Sequence, residues 1–383
     1  MNVNLVELSS LDERLEAIAT VAAPFKERAA EIDEKGLFVY DNIADLQNTG
    51  YTALTIPKKY GGQEISVYEL VRLQEKIAQY DGATALSIGW HMGTARNMEE
   101  RHWDPNLLKS LYDRLTNGAL INAAASEPQT GSPTRGGKPQ TTAEKKGENW
   151  VINGLKSFTT MSPVLDYFIV SASIKNTEEI GNFLIPKETK GIRVEETWDS
   201  IALKGTGSNH VYFENVIIEE SFYVEDIKKN KKINPWLLHI PACYLGIAGA
   251  AQKEAVLFAK KYSPNSITGT ISDLPNVRTK IGEMELKMQQ AKHFLYSVSK
   301  KSDDADEEEK EFMLPELNAV KLSITNTAIE VVDLAMRIVG AQSLSAKNPL
   351  QRLYRDVRAG LHNPPMDDMT IQLLAVHSLN SFD

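Results

Sequence analysis

The chain has 383 residues, 42% of them hydrophobic and 24% charged, with a formal net charge of −9 and one cysteine. That length accommodates two or three packed units, and the acidic balance, with no basic stripe, argues against a nucleic-acid partner. The lone Cys243 excludes an internal disulfide and a cysteine metal cluster, and no apolar stretch approaches the roughly 20 residues of a membrane span.

The amino terminus lacks a basic start followed by an apolar run, so no secretory signal is expected and a cytoplasmic location is. Leu11, Leu15, Ile18, Val21, Phe25 and Ala29 recur at steps of three and four and predict a helix. Ser9 or Ser10, with Asp12 and Glu13, is its start signal. Further helices are expected from Val67 and over residues 87–96. The pattern changes near Leu120. Short β-rich runs at 150–154, 167–174, 182–186 and 210–216 predict an all-β unit. The basic stretch 228–232 is read as a link to a second helical part. There, residues 237–258, the series Val277, Ile281, Met284, Met288, Ala291, Leu295 and the series Leu317, Val320, Ile324, Ala328, Val331, Leu334, Ile338 predict long amphipathic helices of a bundle. The mostly acidic run 300–310 reads as a solvated loop, and Cys243 as a packed thiol. Bundles of this kind often bury apolar faces between subunits, so a homo-oligomer, dimer or tetramer, is expected. No internal repeat, phosphate loop, dinucleotide fingerprint or metal-ligand spacing is present.

The segment Ala123-Ala124-Ala125-Ser126-Glu127-Pro128-Gln129-Thr130-Gly131-Ser132-Pro133 is the most informative. Its small residues and Gly131 would let backbone approach a flat ligand, and Ser126 and Ser132 offer hydroxyls. An ordinary exposed turn is the competing reading. The segment resembles the acyl-CoA dehydrogenase signature Thr-Glu-Pro-x-x-Gly-Ser-Asp. Asn153-Gly154-Leu155-Lys156-Ser157-Phe158-Thr159-Thr160 resembles that family's Asn-Gly-x-Lys-x-Trp-Ile-Thr strand. Lys204-Gly205-Thr206-Gly207-Ser208 and Val211-Tyr212-Phe213-Glu214-Asn215-Val216 resemble its Arg-Gly-Ser turn and the strand after it. Arg355-Asp356 resembles the pair before its catalytic loop.

The resemblance implies a mainly α fold with a central β domain: an N-terminal helical domain (1–119), a middle β-barrel-like domain (120–228) and a C-terminal four-helix bundle (229–383). It implies FAD, with FMN as the alternative. Ser126 would bond the isoalloxazine edge and Gly131 and Ser132 would lie near the pyrophosphate. Phe158 would take the place of a packing Trp, and Thr160 that of a hydrogen-bonding Thr. Of the family's second glycine motif only Gly340 remains, followed by Ala341-Gln342-Ser343. The implied activity is oxidation of an acyl-CoA or similar small molecule, with electrons passed through flavin to an electron-transfer flavoprotein.

The family's catalytic Glu is absent. Counting from Arg355-Asp356, Pro364 occupies its slot, and proline offers neither a base nor the backbone N–H that polarises the thioester carbonyl. Asp367 or Asp368, whose competing reading is capping a helix that starts near Met369, or a histidine, His362 or His239, is left as the candidate base. Residues 361–364 also resemble a branch of the same fold, two-component flavin monooxygenases served by a separate flavin reductase. There His362, with His91 from the first helical part, would stand near the flavin. A silent flavin- or acyl-CoA-binding protein is the third reading.

Overall fold

The computed structural model describes residues 3–100, 103–130, 136–227 and 233–381. The chain begins with α1 (Leu11–Lys35), α2 (Tyr40–Asn48), α3 (Val67–Ala78), α4 (Gly82–Glu100) and α5 (Pro105–Thr116). Ser10 starts α1: its hydroxyl accepts from the Glu13 amide while the Glu13 carboxylate accepts from the Ser10 amide. Ser66 and Glu69 repeat this exchange at α3. Each pair satisfies two amides that the helix cannot bond itself. Ile18, Ala22, Phe25 and Ala29 make the buried stripe of α1, and the helix expected over 87–96 lies within α4.

The middle of the chain forms one mixed sheet from β1 (Ile121–Ala124), β2 (Thr142–Lys146), β3 (Asn149–Thr159), β4 (Tyr167–Ile174), β5 (Ile180–Pro186), β6 (Ile192–Glu195), β7 (Asn209–Glu219) and β8 (Tyr223–Asp226). Its path is β6-β7-β3-β2-β4-β5-β8, with β1 joined to β4. β1 and β2 run parallel to β4, and the other pairs are antiparallel. β4 is buried along nearly its whole length. Its continuous Phe168-Ile169-Val170 run is what a strand covered on both faces requires.

The last part comprises α6 (His239–Lys261), α7 (Pro275–Asp304), α8 (Glu307–Glu311), α9 (Leu314–Val339), α10 (Pro349–Asp356) and α11 (Asp367–Asn380). α6 packs on α9, and α9 on α7 and α11, while α3 also lies against α6. The first and last helical parts therefore share one core. Cys243 is buried there, its thiol directed to the Gly82 carbonyl at 3.4 Å. The acidic run 300–310 is not the expected loop. α7 continues to Asp304, and Asp306 and Glu309 form a capping box for α8, so these charges line helix ends. The basic stretch 228–232 lies outside the described residues.

The α3–α6 contact is close because α6 carries Gly246. A Cβ there would stand 2.4 Å from the Glu75 carbonyl oxygen and 2.6 Å from the Ala78 Cβ. Gly246→Ala is expected to force the helices apart and cost about 1–3 kcal/mol. A fall in the urea midpoint at unchanged slope measures this, and an unchanged midpoint refutes the tight packing.

Candidate functional site

Glu127 and Lys156 form a buried ion pair, Nζ to Oε1 2.7 Å, with side chains 3% and 0% exposed. Glu127 also accepts from the Thr141 amide at 3.0 Å and the Gln140 amide at 2.7 Å. Lys156 further donates to the Ser171 hydroxyl at 3.2 Å. Burial alone would raise the Glu127 carboxyl; the Lys156 ammonium and the two amides override it and bring it down to about 2. Burial pushes Lys156 downward against the pull of Glu127. The pair is charged at neutral pH, and it ties the chain leaving β1 to β3 and β4.

This pin presents Ser126. Its carbonyl accepts from the Ser157 amide at 2.9 Å, so Ser126 is held at Ser157, the residue before Phe158. Phe158 adopts left-handed backbone (φ 53), a rare state for an aromatic residue, and its ring is 66% exposed. The Trp198 ring meets it edge-on at 5.9 Å. The chain then turns back through the bond from the Thr160 amide to the Phe158 carbonyl. Thr160, Ser208 and Thr206 form a buried hydroxyl chain with spacings of 3.0 and 2.9 Å. The result is an exposed aromatic ring next in the chain to Ser157, whose amide holds the Ser126 carbonyl. Gly131 and Ser132 fall outside the described residues. Gly340 is exposed with positive φ and open space around it.

A second set of bonds brings the 356–365 loop to this ledge. Asp356, buried at the end of α10, accepts from the Leu203 amide at 2.7 Å. Arg355 grips both Asp33 oxygens and donates to the Ile201 carbonyl. The turn that carries Thr206 and Ser208 is thus fastened to the loop. Burial, opposed by the Leu203 amide and Arg352, pushes Asp356 up to about 7. On the loop, Asn363 accepts at Oδ1 from the Tyr244 hydroxyl at 2.5 Å. His362 is exposed.

The other candidates are placed differently. His91 is fully buried, with Nε2 3.1 Å from the Thr52 carbonyl and Nδ1 accepting from the Ile121 amide at 3.1 Å. Nδ1 ties α4 to β1 and Nε2 ties it to the Thr52 turn, and burial brings the ring down to about 4. A neutral, doubly bonded imidazole has nothing left for a substrate, which corrects the catalytic expectation for His91. His239 is buried against Trp90 at 4.9 Å, with burial lowering it to about 3. Asp367 accepts from Asn326 at 2.9 Å and lies 3.6 Å from Lys321. It joins α11 to α9 and is not the free base the sequence suggested. It does not cap α11 either, since it lies in the first turn. Tyr244 and Lys321 are additions from the structure. Lys321 had a sequence signal, a charge within the apolar series Leu317, Val320, Ile324. Among the described residues no cluster suits a metal, and no helix is long and apolar enough to cross a membrane.

Lys156→Met, which strands a buried carboxylate, is expected to cost about 3–5 kcal/mol, and adding Glu127→Gln should recover much of it. Glu127 is depressed in the folded state, so its stabilisation is complete above its ordinary value of 4.5 and is lost as pH falls toward about 2. Denaturant titrations at pH 6 and pH 3 check this. Glu127→Gln should lose less stability between them than the parent; equal losses refute the charged pair.

Residues 13–102, 122–216 and 237–361 match, in order, the N-terminal, middle and C-terminal domains of acyl-CoA dehydrogenases. The chain is 48% identical over 370 residues to "Putative acyl-CoA dehydrogenase YdbM" of Bacillus subtilis (strain 168), covering 96% of this chain and 97% of that one. The fold matches FMN-bound TdsC, a dibenzothiophene monooxygenase of Paenibacillus sp. A11-2 (TM-score 0.87, 21% identity, 96% and 97% of the two chains). It equally matches butyryl-CoA dehydrogenase of Megasphaera elsdenii (TM-score 0.85, 21% identity, 97% and 99%). With three domains matched in order and near-half identity over almost its whole length, the chain belongs to the acyl-CoA dehydrogenase family.

Proposed function

We propose that this protein is a flavin-dependent oxidoreductase that oxidises an acyl-CoA or similar acyl substrate beside its carbonyl. The observation that carries the reading is the ledge of exposed Phe158 and Ser126, locked by the Glu127–Lys156 pair. An apolar ring left open to water on a segment bonded to a serine turn suits a flat, hydrogen-bonding cofactor. Ser126, Phe158 and Thr160 would hold the flavin, with Gly131 and Ser132 continuing the contact toward its phosphates. Bound flavin supplies a two-electron acceptor.

The remaining work falls to the chain. Phe158 and Trp198 keep water from one side of the reacting carbon. The Thr160–Ser208–Thr206 hydroxyls can rotate to donate where negative charge gathers. The proton lost beside the carbonyl needs an acceptor, and Pro364 cannot serve. His362, exposed on the loop that Asp356 and Tyr244 position, is the residue assigned to it. Tyr244 is held well above its ordinary value by burial, so it keeps its proton and orients Asn363.

Exposed Ile371, Val376 and Leu379 on α11 support a homo-oligomer. A cytoplasmic location and an electron-transfer flavoprotein as acceptor complete the reading. A two-component monooxygenase is the second reading. It is favoured by exposed His362 and by the Ala341-Gln342 side chains after Gly340, which hinder close approach of a dinucleotide and would suit FMN.

Anaerobic titration of the flavin-loaded protein with acyl-CoAs of graded length tests the first reading. Bleaching of the visible band by one of them is expected. Bleaching only by a reductase or chemical donor would transfer the assignment to the monooxygenase. His362→Ala should lower turnover about a hundredfold or more with folding intact, and unchanged turnover removes His362 from the site. Phe158→Ala should retain less flavin without loss of stability, because the ring is exposed; equal flavin content refutes the ledge.

A further inference from the structure

Under the Pro364 turn lies a small cavity of about 60 Å³ lined by Leu237, Leu238, Leu317, Lys321, Pro364 and Pro365, among others. Most of this lining is apolar, yet it includes Lys321, whose side chain is only 3% exposed. That nitrogen makes no hydrogen bond. Its nearest opposite charge, Asp367 Oδ1, stands at 3.6 Å, and this oxygen makes no hydrogen bond either. One turn further along α11, the Thr370 hydroxyl is buried and also without a partner.

Lys321 on α9 and Asp367 and Thr370 on α11 thus carry buried polar atoms without a hydrogen bond, the first two paired only at ion-pair distance. Each such group costs free energy on the order of 1–3 kcal/mol, more for a charge, unless something fills it. An ammonium in that position lacks an oxygen acceptor. The volume corresponds to about two waters at liquid density, room for an oxygen and the carbon that carries it.

The turn itself is short of donors to such an oxygen. Pro364 and Pro365 have no N–H. The Asn363 side chain is engaged by Tyr244, and His362 is exposed. Lys321 is the cationic residue of the cavity lining.

We propose that Lys321 binds the acyl oxygen of the substrate, a thioester carbonyl or a carboxylate, in this cavity. The proposal rests on the acyl reading above. A buried ammonium at that oxygen draws electron density from the carbonyl carbon and acidifies the neighbouring C–H, and low surrounding polarity strengthens the effect. Lys321 then supplies electrophilic assistance where the proline turn has no amide to give. Asp367, anchored by Asn326 at 2.9 Å, is a positioning residue that aims the ammonium.

The test uses the full chain labelled with 13Cε-lysine, read by NMR, with the Lys321 resonance identified by its loss in Lys321→Met. The probes are butanoate and the butanoyl thioester of N-acetylcysteamine. One of them is expected to move the Lys321 resonance saturably, which also says whether the oxygen is that of an acid or a thioester. Lys321→Met should weaken that probe's binding about tenfold or more, at a cost in thermal midpoint because it strands the Asp367 carboxylate, a cost that adding Asp367→Asn should largely recover. A Lys321 resonance indifferent to both probes, or equal affinity in Lys321→Met, overturns the proposal. Neither readout uses the flavin band. A protein whose flavin no acyl-CoA bleaches but whose Lys321 responds would therefore fail the oxidation reading and keep the binding site.

Discussion

The Glu127–Lys156 pair is the constraint from which the site is built. Two charges removed from water repay that cost only when their remaining hydrogen-bonding capacity is also used. Here the Gln140 and Thr141 amides complete Glu127, and Ser171 completes Lys156. Four segments, the Ser126 turn, the chain entering β2, β3 and β4, thereby meet at one point. The left-handed Phe158 lies two residues beyond Lys156, and its unusual backbone survives because both flanks are held. Ser157 is bonded to the Ser126 carbonyl, and Thr160 turns back on Phe158. An exposed aromatic ring on so rigid a support is costly for a monomer in water, and it is sensible as one wall of a ligand site.

The helices reach this wall through Asp356. Its bond to the Leu203 amide joins the end of α10 to the turn carrying Thr206 and Ser208. The same α10 leads into the loop of His362 and Asn363, which Tyr244 of α6 holds from the core side. The Ser126–Phe158 segment and the loop of His362 and Asn363 are therefore one connected unit, although these residues lie more than 200 positions apart in the chain. Beside the proline turn, Lys321 is buried with no hydrogen bond and with Asp367 only at ion-pair distance.

Much of this was legible in the sequence. The stripe from Leu11 to Ala29 and the series from Val277 and Leu317 predicted α1, α7 and α9 because periodic burial writes itself into residue spacing. Ser126, Phe158 and Thr160 were singled out through motif order alone. The run 300–310 was misread because charge density alone cannot distinguish a loop from helix ends, and the Asp306–Glu309 capping box was the signal overlooked. His91 was misjudged because its Ile121 and Thr52 partners come from distant segments. Tyr244 lay hidden in an apolar run, where a hydroxyl's partner is a tertiary fact. Lys321 was visible as a charge on an apolar face, but only the structure shows the cavity it lines.

The account centres on a flavin ledge formed by the turn at Ser126 and the end of β3. Amide hydrogen exchange of the full chain, with and without added FAD or FMN, addresses it most directly. The account predicts that flavin slows exchange in residues 126–130 and 157–160, with a smaller effect at 203–208 through the hydroxyl chain. Flavin binding that leaves those segments unchanged and protects another surface would contradict it.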